Sequence, residues 1–570
     1  MLRATEWRQT PALLLAALRY GSAAVAVWVS LEYTDDAIGA VINASLLLLP
    51  LSLMLALSGR QALSLSFAAL TAIFIWALGE LKLKYFGDRL ALPDYYFLTE
   101  PANWNIALRY PLLWQSLIGF FLGVVLLAVD AWLDARSRPR AGRRQRVAAL
   151  LLFLLLSGFA WAERHHHEWE VWREDADCGD MHICGVMTRL VASVAVFEFE
   201  MPVHEGDPQY FLAHQAALPP LPAAAAHKPD IVAFLNESTF DLRNFVLPRA
   251  RLPRLGMFDD SALTRAGGPL RMHTYGGKTW LSEFSLLTGL IPEDFGAWRN
   301  LVFNTVAPNT QTNLVKLLKA NGYKTIVLMP TMKYFYGAGR TYEGLGFDRI
   351  LTLRDFPEYD YLPGDCWDIA ETPRMVEAAI KLIKQHRAGP DKNQPLFLYF
   401  LSVFGHAPYS KKTPVSYGLE RTTITPTLAA KFSDYLNRMQ TLNAAITQLD
   451  HYLAGAERPA LWTWFGDHQA YYEEDVPPYR YRFPAPDHVT QFQLRGNFNV
   501  PTLPDLAITD VAYLPSLLAD LAGVEEDAHF SSLSAMRRLC EGKLDDCADA
   551  QLVQSYKAWL FSPEQGLFEQ

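Results

Sequence analysis

Two patterns of apolar residues divide this chain. Up to about position 165, Leu, Ala, Val and Phe crowd into five stretches: Pro11–Leu31, Ala37–Leu57, Ala62–Leu81, Pro111–Val129 and Val147–Trp161. A bilayer span needs roughly 20 apolar residues, with about 17 as a lower bound. The first four stretches are long enough, although Arg19 interrupts the first. The fifth is short, with Arg146 placed to snorkel at one end and Trp161 at the opposite interface. A cleaved signal sequence is one short segment and does not account for five. The pattern predicts a membrane domain of five helices over residues 1–165.

Residues 166–226 read as a juxtamembrane segment and linker. The run His165-His166-His167 lacks the spaced partners of a metal site and reads as a solvated face. Pro219-Pro220-Leu221-Pro222 followed by Ala223–Ala226 reads as a linker. The stretch Lys82–Asn105 mixes aromatics with charges, as an interfacial helix or a plain aromatic anchor does.

From Pro229 onward, short β-branched or aromatic runs alternate with helical periodicity. Strands are predicted at Asp230–Asn236, Lys324–Pro330, Leu396–Phe404 and Ala460–Phe465. Helices are predicted at Leu281–Thr288, Asn309–Ala320, Thr372–Gln385 and Leu428–Ala454. Alternation of this kind predicts an α/β domain over residues 227–570, with a mainly parallel sheet and helices on both faces. Ligands of such sheets gather at the carboxyl ends of the strands. Glu237, His406 and the pair Asp467-His468 fall at those ends.

Charge adds an orientation. The connection from Asp134 to Arg146 holds six Arg, which places it in the cytoplasm. Arg3, Arg8 and Arg60 belong to the same side, while Glu32, Asp35 and Asp36 lie in an outer loop. Five spans with the amino terminus inside put the α/β domain outside the membrane. The net charge of −9 and the absence of a basic domain argue against nucleic acid as a partner. The five cysteines all follow the last span. Cys178 with Cys184 and Cys540 with Cys547 are close enough for short-loop disulfides in an oxidising compartment, Cys366 being left over. Free buried thiols are the other reading.

The chemistry concentrates in a few segments. Glu237 stands where a buried strand opens into a loop, as a ligand, a base or a cap neighbour does. Asp467 and His468 offer hard oxygen and imidazole together, a mix suited to zinc or manganese, with magnesium also permitted. Thr279 ends Tyr275-Gly276-Gly277-Lys278-Thr279 ahead of a helix, where free amides and Lys278 favour an anion. A plain cap is the alternative role for its hydroxyl. The same letters close a nucleotide P-loop, but the leading glycine that motif requires is replaced by Met272. His406, in Gly405-His406-Ala407-Pro408, is placed to donate to a leaving group or bind phosphate, or to serve a structural role. Arg340 follows a Gly-rich turn and can clamp an anion, or serve as a solvated loop charge.

Taken together, Gly277-Lys278-Thr279 with Ser282-Glu283-Phe284 resembles the nucleophile segment of the lipoteichoic acid synthase family. Asn236-Glu237-Ser238, Gly405-His406-Ala407-Pro408 and Phe465-Gly466-Asp467-His468 resemble that family's other motifs, in the same order. The family belongs to the alkaline phosphatase and sulfatase superfamily, with phosphoethanolamine and phosphoglycerol transferases as relatives. The resemblance implies that Glu237, Asp467, His468 and Thr279 hold one divalent metal. It implies that Thr279 is the nucleophile, next to Lys278, and that His406 meets the phosphate or leaving group. Arg340 is carried over for substrate binding, although its segment departs from the Trp-Asn-Arg form of lipoteichoic acid synthases.

On that basis the expected reaction moves a phospholipid headgroup through a phospho-Thr intermediate to a cell-envelope glycan or glycolipid. Phosphoglycerol from phosphatidylglycerol is the first expectation and phosphoethanolamine the second. Thr239 is a rival nucleophile that lacks the Gly-Gly-Lys setting. A hydrolase of the ordinary sulfatase kind needs Cys or Ser in a Cys/Ser-x-Pro-x-Arg setting, which no cysteine here has. A non-catalytic lipid sensor would not need a full ligand set. The paired cysteines point to a periplasm, hence to a bacterial inner-membrane protein with its catalytic domain outside.

Overall fold

The computed structural model describes residues 3–31, 37–86, 90–95, 99, 111–137, 139–165, 185–194, 202–220, 228–358, 372–409, 414–500, 503 and 506–568. The chain forms two compact units, Met1–Glu200 and Met201–Gln570. Cys178, Cys184, Cys366, the second and third His of the triplet and most of the Ala-rich linker lie outside the described residues.

In the first unit, helices Arg3–Leu31, Ala37–Ser58, Gln61–Phe86, Pro111–Ser137 and Arg143–Ala162 occupy the five apolar stretches. Among the described residues, four segments are long and apolar enough to cross a membrane: Ala37–Ser58, Gln61–Leu83, Leu112–Leu133 and Arg143–Ala162. The first helix carries its apolar part at Ala16–Leu31. Arg19, which interrupts that stretch, is half-buried and paired with Asp130, whose other oxygen accepts from Ser66 Oγ at 2.7 Å. An ion pair backed by a further hydrogen bond is a form in which charge survives among apolar helices.

Arg146 meets the end of the second apolar helix. Its Nε and Nη2 donate to Ala56 O and Leu57 O at 2.9 and 3.0 Å, satisfying the last carbonyls of the helix Ala37–Ser58. Ala141 N also donates to Gly59 O at 2.6 Å. The Arg-rich connection and the Arg60 turn therefore lie together at one end of the helices, as the charge pattern requires. Part of the expected juxtamembrane segment returns to this unit: the helix Val186–Ala192 has Thr188 N on Asn43 Oδ1 at 3.0 Å.

The second unit is built on one eight-stranded sheet. Its strands are β1 (Asp230–Asn236), β2 (Thr264–Arg271), β3 (Lys324–Met329), β4 (Arg349–Thr352), β5 (Leu396–Ser402), β6 (Ala460–Gly466), β7 (Val489–Gly496) and β8 (Thr509–Asp510). The spatial order is β4-β3-β5-β1-β6-β7-β2-β8. Only β7 runs against its neighbours.

All of β1, β5 and β6 is buried, because helices cover both faces. Successive β1 side chains alternate between two cores. Ile231, Ala233 and Leu235 enter one, with the helices Thr279–Thr288, Leu514–Ala522 and Ala550–Leu560. Val232 and Phe234 enter the other, with Thr372–Ala388 and Pro426–Ala454. Phe234 stacks on Phe400 at 4.1 Å, so truncating it to Ala would cost about 3–5 kcal/mol.

The helix Pro208–Ala217, inside the expected linker, belongs to this unit. Asp207 caps it, Phe211 is fully buried against Tyr556 and Trp559, and Phe211 N donates to Ser555 Oγ at 2.7 Å. Cys540 and Cys547 form the expected disulfide.

Candidate active site

The three central parallel strands end level with one another: Asn236 pairs with Ser402 of β5 and with Gly466 of β6. The ladder runs one residue further, with Glu237 N donating to Ser402 O at 3.1 Å and Asp467 N to Asn236 O at 3.2 Å. Two glycines permit this crowding. A Cβ on Gly466 would lie 2.0 Å from Thr239 O, and one on Gly405 2.1 Å from Glu237 O.

Glu237, Asp467 and His468 are buried there, each offering a ligand atom within 4.8 Å of the others. Asp467 Oδ1 accepts from Ser238 N at 2.7 Å and His468 N at 2.8 Å, while its Oδ2 is buried without a hydrogen bond. Ser238 pays for this with a left-handed backbone, φ 51°. His468 Nδ1 donates to Gln469 O at 2.9 Å, which leaves Nε2 to carry the lone pair. That Nε2 lies 3.3 Å from both Glu237 Oε1 and Asp467 Oδ2 yet hydrogen-bonds to neither.

Two carboxylates in one buried pocket require positive charge. With protons alone, burial and the repulsion of Glu237 push Asp467 up to about 7. Burial works against His468, but Asp467 and Glu237 raise it to about 9. Burial also works against Glu237, yet His406 and His468 hold it at about 2. A divalent cation would meet the same demand, and the orphaned Oδ2 and Nε2 are donors of the type that zinc or manganese takes.

Thr279 is brought to this cluster. Lys278, with φ 63° and ψ 45°, turns the chain into the helix Thr279–Thr288. Thr274 Oγ1 closes the turn on Gly277 O at 2.6 Å. Gly276 N donates to Gln469 O at 3.2 Å, and Ser282 Oγ to Asp467 O at 2.6 Å. The helix is thus tied to the Asp467–Gln469 segment on both sides of Thr279. Thr279 is half-buried, and its Oγ1 donates to Glu237 Oε2 at 3.2 Å. Thr239 is fully buried, with its hydroxyl turned onto the backbone carbonyl of Glu237 at 3.2 Å.

His406 follows β5, and its Nδ1 meets Ala407 O. Burial lowers its pKa, against the pull of Glu237. Arg340 is exposed on the helix Ala338–Leu345, with its guanidinium 5.8 Å from the centre of the Tyr334 ring.

A family model described as Sulfatase matches residues 229–524. An uncharacterised protein of Haemophilus influenzae is 30% identical over 511 residues, covering 89% of this chain and 92% of that one. The chain belongs to the sulfatase family. The capsular polysaccharide biosynthesis protein RkpI of Rhizobium meliloti is 24% identical over 251 residues, 44% of this chain and 43% of its own. The structure of the phosphoglycerol transferase GacH of Streptococcus pyogenes, in complex with sn-glycerol-1-phosphate, is similar at a TM-score of 0.50 and 15% identity. That likeness is one of fold, and it covers 64% of this chain and 96% of the other.

Several residues around the site escape a reading of the sequence. Glu283 is fully buried and takes hydroxyls from Tyr336 at 2.7 Å, Tyr399 at 3.1 Å and Tyr342. Burial nevertheless raises it to about 7 against those three bonds. Arg438, on the helix Pro426–Ala454, donates to Phe404 O, His406 O and Pro408 O at 3.1, 2.7 and 3.1 Å. One guanidinium thus holds the whole loop that carries His406. Arg438 lies 32 positions from His406, and the three tyrosines lie 53 or more positions from Glu283, so no local motif announces either group.

Proposed function

We propose that this protein is a membrane-anchored transferase that moves a phospholipid headgroup to a cell-envelope glycan or glycolipid through a phospho-Thr279 intermediate. Phosphoglycerol from phosphatidylglycerol is the first choice of headgroup, and phosphoethanolamine is the second. The observation that carries the reading is the hydrogen bond of Thr279 to Glu237, beside two further buried donors that lack partners of their own. The fold shared with GacH supports phosphoglycerol, and the partial likeness to RkpI supports a surface polysaccharide as acceptor. The apolar helices would hold the catalytic unit beside its lipid donor, outside the bacterial inner membrane.

Glu237, Asp467, His468 and Thr279 would hold one divalent metal. When bound, it lowers the pKa of the Thr279 hydroxyl and offsets charge on the phosphoryl oxygens. Thr279 Oγ forms a bond to phosphorus as the bond to the diacylglycerol oxygen breaks, and that oxygen takes the proton. The acceptor hydroxyl then attacks phosphorus, His406 takes its proton, and Thr279 Oγ leaves and is reprotonated. Lys278 adds positive charge beside the transferred group, and Arg340 binds the substrate's anionic part.

The test is incubation of the full-length protein with headgroup-labelled phosphatidylglycerol and, separately, phosphatidylethanolamine. Mass analysis of the Thr279 peptide should show an adduct from one donor, with diacylglycerol released. No adduct from either donor would end this reading.

A further inference from the structure

Beside the nucleophile turn stands an aromatic corner that the chemistry above does not use. Tyr275 lies four residues before Thr279, and Tyr471 three residues after His468. Their ring centres are 6.0 Å apart and their planes meet at 82°. His488 lies 6.1 Å from Tyr275, tilted by 35°. Tyr471 is 54% exposed.

The corner is built rather than incidental. Gly276, with φ 68°, passes under Tyr471 so closely that a Cβ there would lie 2.7 Å from the tyrosine's own Cβ. Gln469 Nε2 donates to Pro486 O at 2.9 Å and Val489 O at 2.7 Å, which fixes the His488 loop to the segment that carries Asp467 and His468. Both walls of the corner are therefore anchored to the same backbone as the proposed metal ligands.

We propose that Tyr275 and Tyr471 form the acceptor subsite, where a pyranose ring of the glycan sits in the corner with Asp487 and His488 beside its hydroxyls. This rests on the acceptor half of the proposed function. A pyranose presents one face of C–H groups, which suits the negative face of an aromatic ring, and a rim of hydroxyls, which suits planar polar side chains. A lipid-derived ammonium group is the competing occupant, since aromatic faces also attract cations. It would be drawn to Asp487, whose Oδ1 accepts from His488 Nδ1 at 3.0 Å, and the ethanolamine control separates the two occupants.

The probe is a panel of neutral tetrasaccharides of glucose, galactose and N-acetylglucosamine, with ethanolamine as the cationic control. Saturation-transfer NMR on the metal-free, full-length protein reads binding without any turnover. At least one sugar should bind saturably. Tyr471→Ala should weaken it about five- to tenfold, and Tyr471→Trp should restore it. The Ala variant keeps the Cβ that abuts Gly276, so its turn is preserved. In the presence of labelled phosphatidylglycerol and acceptor, Tyr471→Ala should accumulate the phospho-Thr279 adduct. Equal sugar binding by wild type and Tyr471→Ala, binding of ethanolamine alone, or no binding at all would overturn the subsite. If wild type forms no adduct while the sugar result holds, the proposed reaction fails and the subsite stands.

Discussion

Thr279 Oγ1 lies 3.2 Å from Glu237 Oε2, although 42 positions separate the two residues in the chain. The contact forms because β1 delivers Glu237 to the floor of the site while the turn at Lys278 starts a helix above it. A hydroxyl that gives its proton to a buried carboxylate has its lone pairs directed elsewhere. Thr239 differs in being fully buried, with its hydroxyl on the backbone carbonyl of Glu237 rather than on the carboxylate.

Thr279→Ala should abolish both adduct formation and headgroup release, a fall of about 10³-fold or more. Thr279→Ser retains the oxygen and should keep activity within about tenfold of wild type. Thr239→Ala should lower stability by about 1 kcal/mol through its lost hydrogen bond and still form the adduct. Intact-mass measurement after exposure to labelled donor decides the matter. An adduct that moves to Thr239, or survives in Thr279→Ala, would refute the assignment.

Asp467 links metal binding to pH. Its folded carboxyl is pushed up from 3.8 to about 7, so the metal-free folded state binds a proton that the unfolded chain has released. Metal-free protein should therefore lose stability as pH rises from about 4 to 7. Asp467→Asn should flatten that slope while keeping an oxygen for the two amides at Oδ1. Zinc or manganese should raise the wild-type Tm at pH 7 and leave Asp467→Asn much less changed. Thermal scans at several pH values, with and without chelator, read both effects. A variant slope equal to that of wild type would contradict the charge argument.

The parts of this fold that the sequence discloses are those where burial leaves one signature. β1, β5 and β6 are buried on both faces, so they appear as unbroken apolar runs that end at Glu237, near His406 and at Asp467. β2 and β7 are hidden because Thr264–Arg271 contains two glycines and a proline, while Val489–Gly496 is interspersed with Thr, Gln and Arg. β4 is four residues long and gives no period to read. The helix Pro208–Ala217 was hidden by its neighbours, since its proline-rich flank reads as a linker while Phe211 is fully buried. At the site, strand-end ligands are legible from one segment each. Arg438 and the tyrosines on Glu283 act across the fold, and only tertiary packing brings them into place.

Arg438 makes one such prediction. Its fork spans the carbonyls of residues 404, 406 and 408 and pairs with Asp434 at 3.1 Å. A lysine supplies the charge as a point and cannot span three carbonyls. Arg438→Lys should therefore slow transfer to the acceptor by about ten- to a hundredfold through misplacement of His406. Adduct formation on Thr279 should suffer less, because Thr279 is held by other contacts. Comparing the two half-reactions tests this, and an equal loss in both would argue for general unfolding of the site instead.

His273 sets a second pH limit of the same sign. It is buried at the end of β2, just before Thr274 and the nucleophile turn, with Nδ1 2.9 Å from Glu293 and Nε2 3.1 Å from Asp510. Burial alone would lower its pKa, but the two carboxylates raise it well above 6.5. A raised histidine contributes stability that is complete below about 6.5 and is lost as pH climbs through the folded value. Glu293 is pulled from 4.5 to about 2, with burial outweighed by His273 and then Arg299, so its share is present above about 4.5 and fades as pH falls toward 2. His273→Gln should thus cost about 2 kcal/mol or more between pH 4.5 and 6.5, with the deficit shrinking under alkaline conditions. Denaturant midpoints for wild type and variant across pH 4 to 10 measure it. A deficit that grows with pH would mean that His273 is held neutral, and that the turn before Thr279 is fixed by packing rather than by charge.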